Sequence, residues 1–504
     1  MASQALPRFR QPFVNPRNGA AVGDAHDPGE HPWAAAELRM CGLSADIRDS
    51  EEDWAQRRHE PAFIAHWRAE GAVRHLDEDQ VDYVLSELDD HASVRDVRTG
   101  IETSCFDRIW QSDMLVSNDT TRTLCLWIRE RIAASDPFTN PRWPEQVYDL
   151  VHPSLYSWVA GRTILLSEPA MLPNTTHSNA TLPDATSRTF AWIATDYSVS
   201  PLPNQRPRVV SSGYINNIPL DHHLSRGAVD DVVADFIPLF ERVLSDSTVC
   251  RPFQRRLPYS LEHRTNSSPS NRLSASPYSS YLPYQGGRGI SLAGKDIQVY
   301  LKLSLIHLTP EHHHFSGGDW HYEGMRNEHI VACGVYCVEE SNVTELQLNF
   351  RAKVDLLFDF NTEQLARASA LWGIAPDGPT NQELPSTVLP AGRCIAFPNI
   401  YQHRVGGFSL LDPTRPGYRV VLSVLLVDPN VRVLSTSQVH PQQAEAACEM
   451  QGCSRRNTFT RREAQLFREQ LEDERDHFAG VTQRAWVDER WTVAEDDMDS
   501  DMDY

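Results

Sequence analysis

The chain has 504 residues, of which 40% are hydrophobic and 23% charged, and its formal net charge is −21. This composition is typical of a soluble globular protein with two or three domains, and the acidic balance argues against nucleic-acid binding, which depends on clustered Lys and Arg. The longest strongly apolar run, residues 420–427, is too short to cross a bilayer. Residues 1–20 lack the apolar centre of a signal peptide, and the nine cysteines show no disulfide framework. We therefore expect a cytoplasmic protein, with a nuclear location as the alternative.

The N-terminal part of the chain is predicted to be helical. Residues 1–32 are rich in Pro, Gly, Asn and Arg and are expected to form a flexible arm, followed by a helical region over 33–135. Apolar residues recur at helical spacing in residues 51–72, 77–91 and 119–132. His75-Leu76-Asp77, one of two His-x-acid triplets, is interpreted as a helix start in which Asp77 is the N-cap and Gln80 completes a capping box.

Residues 136–260 are predicted to be a mixed region of strands and helix that packs on the core. The strand-like runs are residues 190–199 and 208–215, and residues 228–244 form an amphipathic helix. His222-His223 is interpreted as loop surface, with metal ligation as the alternative. Residues 261–290 are predicted to be a flexible insertion, because a Ser- and Pro-rich segment buries too little surface to offset its ordering entropy. A lid over a site is the alternative interpretation of that insertion.

Residues 291–445 contain the strongest functional signal. His321-Tyr322-Glu323 lies between the strand-like runs 299–308 and 330–338. Residues i and i+2 of an extended backbone point to the same face, so His321 and Glu323 can reach one metal ion together. His403, which follows the short apolar strand 395–398, is the third candidate ligand.

Two His and one carboxylate on one face of a metal leave the other positions open, as in non-haem Fe(II) oxygenases. The co-substrate of many such enzymes, 2-oxoglutarate, needs a cation for its distal carboxylate, and an Arg fork suits it. Arg419 opens the most strand-like run of the chain, and a turn after His403 would bring it beside the metal. Ser423 would face the same side and add a hydrogen bond. The alternative is that His321 and His403 are buried, hydrogen-bonded imidazoles.

Other candidate ligands are interpreted as structural. Cys333 and Cys337 share one face of a predicted strand and are expected to be buried thiols. The run His312-His313-His314 is expected to be a surface loop, with substrate contact as the alternative. In residues 446–504, Thr460-Arg461-Arg462-Glu463 predicts a capping box that opens a charged helix, and a disordered acidic tail follows it.

Several short sequence motifs resemble those of a known protein family. They include residues 320–328 (WHYEGMRNE), 348–351 (LNFR), 397–399 (FPN), 402–405 (QHRV) and 416–419 (PGYR). Through them the chain, from about residue 35 to 445, resembles a filamentous-fungal family of unknown function that is considered similar to Fe(II)/2-oxoglutarate-dependent dioxygenases. Two features differ from the usual dioxygenase pattern. Glu323 stands where Asp is usual, and Arg419 lies further beyond His403, which implies a longer turn.

We therefore predict an α+β protein with a double-stranded β-helix (jelly-roll) core and a helical N-terminal region. The predicted function is an Fe(II)- and 2-oxoglutarate-dependent oxygenase that acts on a small molecule, with fungal secondary metabolism as the expected context and no nucleic-acid or membrane partner. The iron ligands would be His321, Glu323 and His403, and Arg419 and Ser423 would hold the co-substrate. Two alternatives stay open: a cupin-like metal enzyme that does not use 2-oxoglutarate, and a non-catalytic barrel that serves as a scaffold.

Overall fold

A computed structural model describes residues 6–12, 32–50, 53–134, 138–166, 187–201, 206–218, 223–248, 256, 284, 286–287, 289–354, 362–376, 378–443 and 458–482. The predicted flexible arm and the Ser- and Pro-rich insertion lie largely outside the described residues. The acidic tail and His222 lie wholly outside them. In the described part of the chain, no helix is long and apolar enough to cross a membrane.

The protein is a mixed helical and antiparallel-sheet structure. Its described helices are α1 (Ala35–Ser50), α2 (Trp54–Arg57), α3 (Pro61–Val73), α4 (Glu78–Val94), α5 (Asn118–Ala134), α6 (His223–Asp246), α7 (Thr362–Trp372) and α8 (Arg461–Thr482). The strands are β1 (Glu102–Thr103), β2 (Trp110–Ser112), β3 (Phe138–Thr139), β4 (Val147–Val151), β5 (Trp158–Val159), β6 (Phe190–Ala191), β7 (Thr195–Val199), β8 (Val209–Ser211), β9 (Asp296–Leu308), β10 (His314–Phe315), β11 (Ile330–Ser341), β12 (Gln347–Lys353), β13 (Asn381–Val388), β14 (Cys394–Pro398), β15 (Gln402–Val405), β16 (Phe408–Ser409) and β17 (Gly417–Val427).

Two predicted capping boxes are present. The Asp77 carboxylate accepts the Gln80 N–H at 2.8 Å, and the Gln80 side chain accepts the Asp77 N–H at 3.2 Å, so the triplet at His75 starts α4. At the start of α8, Glu463 accepts the Thr460 N–H at 2.9 Å and the Thr460 hydroxyl accepts the Glu463 N–H at 3.2 Å. Both boxes could be predicted because they involve residues only three positions apart.

The prediction of one continuous strand over residues 190–199 is wrong, because two strands, β6 and β7, occupy this segment. Ala194, between the two, donates its N–H to Leu434 and accepts one from Thr436, so this backbone pairs with a distant segment. The predicted strand over 208–215 is shorter than expected and is limited to β8. The first difference arises from long-range pairing, which local alternation does not indicate.

One large antiparallel sheet carries most of the long strands, in the spatial order β14, β11, β17, β9, β4. Alternate residues of β9 and β17 face opposite sides. Leu303 of β9 and Leu422 of β17 belong to the apolar cluster formed with α5 and α6, whereas Ile306 and Leu425 belong to a second cluster on the other face. The sheet therefore separates a helix-covered side from an inner side.

A second sheet, in the order β13, β12, β15, contributes to the inner cluster. Phe350 of β12 and Phe397 of β14 lie edge to face with ring centroids 5.0 Å apart, which joins the two sheets. The strand order thus encloses an apolar interior, and the candidate ligands lie at its margin.

Close packing of α6 on the large sheet requires a glycine in β11. A methyl group on Gly334 would lie 2.5 Å from the Phe236 ring of α6, whereas one on Gly227, an exposed glycine of the same helix, would have no neighbour within 4 Å. We predict that Gly334→Ala lowers the free energy of unfolding by about 1–3 kcal/mol through overpacking. Gly227→Ala should instead raise it by up to about 1 kcal/mol, because Ala favours helix. Urea unfolding of both variants checks this, and an equal effect of the two changes would contradict the packing argument.

The stability of the helical layer should depend on pH through His91. Burial, and next the charge of Arg48, lower the pKa of His91 to about 4, while its Nδ1 hydrogen-bonds the Thr103 hydroxyl at 2.6 Å. The unfolded chain takes up a proton near pH 6.5, so the contribution of His91 is complete above that pH and is lost as the pH falls toward 4. We predict a loss of roughly 3 kcal/mol across this window, from about 1.4 kcal/mol per pKa unit.

Unfolding free energies measured between pH 7 and 4 test this prediction. His91→Gln should make the dependence on pH less steep, and the same change at exposed His59 should leave it as in the wild type. Equal slopes for wild type and His91→Gln would show that His91 does not couple protonation to folding.

Candidate metal centre

His321, Glu323 and His403 come together at one point. Each offers one ligand atom, and these atoms lie within 4.8 Å of one another. Glu323 Oε1 is 3.8 Å from His321 Nε2 and 3.9 Å from His403 Nε2. The side chain of His321 is 41% exposed, against 7% for Glu323 and 6% for His403, so the cluster is open to solvent on the His321 side.

The backbone fixes the spacing of the two imidazoles. The His321 N–H donates to the His403 carbonyl at 3.2 Å, and the His403 N–H donates to the His321 carbonyl at 3.0 Å. This antiparallel pair puts the rings side by side, with centroids 4.4 Å apart. Gly317 permits the segment before His321 to approach the backbone of β15 closely, because a Cβ at 317 would lie 2.7 Å from the Val405 carbonyl oxygen. Its φ of +93° also favours glycine.

The imidazole of His321 is oriented for ligation. Its Nδ1 lies 2.8 Å from the carbonyl oxygen of Asp319. Since a carbonyl only accepts, Nδ1 carries the proton and Nε2 presents its lone pair to the cluster. On His403, Nδ1 is buried and has no hydrogen-bond partner in the described part of the chain.

Asn399 holds the backbone of Glu323. Its Oδ1 accepts the Glu323 N–H at 2.9 Å, and its Nδ2 donates to the carbonyls of Glu323 at 2.9 Å and Ile330 at 3.0 Å. The side chain is 1% exposed. The sequence alone does not mark this residue as part of the site. The available signal was an amide directly after a buried strand and four residues before His403.

Lys302 is a second site residue that was not identified from the sequence. Its Nζ donates to Glu323 Oε2 at 2.5 Å and lies 5.1 Å from the centre of the Trp192 ring. The signal was a lysine in the middle of an otherwise apolar and β-branched strand, β9, where a charged side chain needs a partner.

Electrostatics favour the protonation states that ligation needs. Burial would raise the pKa of the Glu323 carboxyl, but Lys302 and then the two imidazoles hold it well below its usual range. Burial, and then His321 and Lys302, lower the pKa of His403 well below its usual range. At neutral pH Glu323 is therefore ionised and His403 is neutral, and both can bind a metal without losing a proton.

Arg419 and Ser423, the predicted co-substrate residues, both lie on the inner face of β17, which carries Leu425. Ser423 pairs in register with Lys302, and Arg419 pairs with Ile306. At 3.3 Å per residue, the Cα of Arg419 is about 13 Å along the strand from that of Ser423. The Arg419 guanidinium donates to Glu340 at 2.8 Å and to the Thr344 carbonyl at 3.2 Å. Its assignment to 2-oxoglutarate stays a prediction.

The remaining sequence candidates lie outside the cluster. Cys333 and Cys337 are buried free thiols, as predicted. The three residues His312, His313 and His314 are exposed, and so is His223 at the start of α6. A cleft of about 730 Å³ lies beside Arg404, between β12 and the segment after β15, and none of the three candidate ligands lines it.

Helix α8 lies beside the metal motif, His321-Tyr322-Glu323. Arg475 forms an ion pair with Glu328, just after the motif, and its guanidinium lies 3.5 Å from the centre of the Trp192 ring. Phe478 packs on Met325, with Tyr322 against them. Nearer the start of the helix, Arg468 forms a fully buried ion pair with Asp149 of β4. The helix thus covers the side of the motif that faces β4.

Comparison with known proteins identifies a family. The sequence profile described as a protein of unknown function, DUF4246, matches residues 78–450. No curated protein matches the chain. A match that covers this much of the chain establishes the family, but it brings no activity with it.

Solved structures give only distant likenesses. The Fe(II)/α-ketoglutarate-dependent dioxygenase TqaL is 10% identical with a TM-score of 0.27, covering 65% of this chain and 81% of that one. A bsmA homologue from Methylobium petroleophilum PM1 is 10% identical with a TM-score of 0.22, covering 47% and 70%. IDO from Bacillus thuringiensis is 11% identical with a TM-score of 0.17. The match covers 27% of this chain and 50% of IDO, so this chain spans about half of IDO's length. Scores this low carry no argument about this chain.

Removing the Asn399 amide should weaken metal binding. Asn399→Ala leaves the buried N–H of Glu323 and two carbonyls unpaired, so the carboxylate loses its fixed position. We predict at least a tenfold loss of Fe(II) affinity, measured anaerobically by competition with a chromogenic chelator. The matched control is Asn342→Ala, which removes an amide that donates to loop carbonyls at 412 and 415. The control should lower stability without changing metal affinity, and an unchanged affinity in Asn399→Ala would contradict the proposed support of Glu323.

Proposed function

The chain belongs to the DUF4246 family, and we propose that it is an Fe(II)- and 2-oxoglutarate-dependent oxygenase of a small-molecule substrate. The observation that carries the proposal is the convergence of His321, Glu323 and His403, whose ligand atoms lie within 4.8 Å. Two imidazoles and one carboxylate that leave further positions open suit Fe(II) in oxygenases. The imidazole tautomer of His321 and the ionised Glu323 fit this ligand set.

The strand order supports a double-stranded β-helix for the core. The large sheet has the order β14, β11, β17, β9, and the second has β13, β12, β15, with His321 paired beside His403 of β15. Along the sequence the chain alternates between these sheets from β9 to β17, except at the β12–β13 hairpin. This is the connectivity of an eight-stranded jelly roll, in which the segment of His321 is the second strand.

The charge of the site supports a dianionic co-substrate. A divalent cation, the Lys302 ammonium and the Glu323 carboxylate together leave a surplus of two positive charges beside neutral His403. The side chains of Lys302 and Glu323 are largely buried, so this surplus is weakly screened by solvent. A dicarboxylic 2-oxoacid carries two negative charges at neutral pH and offsets it.

In this proposal the residues of the chain bind the iron, orient its ligands and shield the site from water. His321, Glu323 and His403 hold the iron, Asn399 fixes Glu323, and the substrate approaches from the exposed side of His321. Bound Fe(II) supplies the oxidation of substrate by O₂ coupled to that of 2-oxoglutarate. Helix α8 keeps water from the opposite side through the contact of Phe478 with Met325.

A second candidate is a cupin-like metal enzyme that does not use 2-oxoglutarate. The observation that favours it concerns Arg419, whose guanidinium is already ion-paired with Glu340 and is 1% exposed. A co-substrate would have to compete with this carboxylate for the arginine. The non-catalytic scaffold is the third candidate, and it predicts that the cluster binds no iron.

Anaerobic titration of the purified protein with Fe(II), followed by 2-oxoglutarate, tests the proposal. We expect stoichiometric iron binding and then a weak visible charge-transfer band, and His403→Ala should abolish both because it removes one ligand. His314→Ala, a change at an exposed histidine outside the cluster, is the matched control and should behave as the wild type. Iron binding without the band would support the cupin-like enzyme, and no iron binding would support the scaffold.

A further inference from the structure

We propose that Lys302, rather than Arg419, pairs with the distal carboxylate of the co-substrate. This inference rests on the proposed function, because it assumes a dicarboxylic 2-oxoacid on the metal. It assigns the recognition of the second carboxylate to β9 instead of β17.

The position of Lys302 carries the first step. Lys302 pairs in register with Ser423, and both residues lie on the inner face of the large sheet. Along β17, Ser423 is four residues closer to Leu425 than Arg419 is. Leu425 pairs with Cys333 of β11, and the Cys333 thiol lies 3.5 Å from Asn399 Oδ1. The level of Lys302 and Ser423 along the sheet is therefore close to that of the metal cluster.

The contacts of Lys302 carry the second step. Its Nζ is 2.5 Å from Glu323 Oε2, while the oxygen that faces both imidazoles is Oε1. An ammonium has three donors, and in the described residues only Glu323 accepts a hydrogen bond from this one. Once Glu323 is engaged as a metal ligand, a largely buried ammonium is stabilised by a further anion. The distal carboxylate of a 2-oxoacid bound to the same metal would be such an anion.

The contacts of Arg419 argue against the alternative. Its Nε and Nη2 both donate to Glu340, its cross-strand partner, and Nη2 also donates to the Thr344 carbonyl beyond the end of β11. The Phe408 ring lies 4.8 Å from the guanidinium and closes another side. These partners hold the guanidinium near the start of β17, away from Ser423, and leave Nη1 as its one nitrogen without a hydrogen-bond partner in the described part of the chain, so we assign it to a structural ion pair.

Two ligands distinguish the proposed role of Lys302 from that of Arg419. The probes are 2-oxoglutarate and 2-oxopentanoate, which has the same chain length but lacks the distal carboxylate. Their affinities for the Fe(II)-loaded protein are measured anaerobically by the charge-transfer band, and for the Co(II)-loaded protein by calorimetry. We expect the wild type to bind 2-oxoglutarate more tightly than 2-oxopentanoate. Lys302→Met should weaken the binding of 2-oxoglutarate at least about tenfold and change the binding of 2-oxopentanoate by less than about threefold. Lys302→Arg should restore part of the preference.

The comparison variant is the double change Arg419→Met with Glu340→Gln, which removes both members of the ion pair and avoids an unpaired buried charge. It should keep the wild-type preference between the two ligands. A preference retained in Lys302→Met, or lost in the double variant, would overturn the assignment. A wild type that binds iron but neither ligand would instead refute the proposed function, so the two failures are distinguishable.

Discussion

The reciprocal backbone hydrogen bonds between His321 and His403 determine the geometry of the candidate centre. They join two segments that are 82 positions apart, and side-chain alternation then places Glu323 on the same face as His321. Without this pairing, the segment of His321 would have no fixed spacing from His403, which β12 holds within β15. The glycine at 317, which lets the backbones approach, and the Asn399 amide, which holds the next stretch of chain, both serve this one arrangement.

Burial makes the charges of the site consequential. Lys302 and Glu323 form an ion pair with little exposure, and Arg475 and Glu328 form another nearby, with both cations close to the Trp192 ring. Removing one member of a buried pair leaves an uncompensated charge, which costs more than the pair contributes. The inner face therefore tolerates a new anion or cation only where it completes such a pair.

Local patterns were sufficient for part of this structure. The capping boxes at Asp77 and Thr460, the strand at 299–308 and the facing pair His321 and Glu323 could be predicted, because each depends on residues a few positions apart. Asn399 and Lys302 could not. Their roles depend on which strands become neighbours and in what register, and a sequence without coordinates does not specify that. The length of the turn before Arg419 has the same origin, since β16 lies within it and pairs with β10, which precedes His321 in the chain.

Helix α8 lies beyond residue 450, where the family match ends, yet it contacts the motif through Arg475 and Phe478 and the large sheet through Arg468. Docking of this helix and the ordering of the metal motif therefore share contacts, and their free energies are coupled. Such coupling is reciprocal: a ligand that orders the motif must tighten the helix by the same amount. For such a ligand, the protection of α8 against hydrogen exchange is consequently a measure of occupancy at a centre that the helix itself does not ligate.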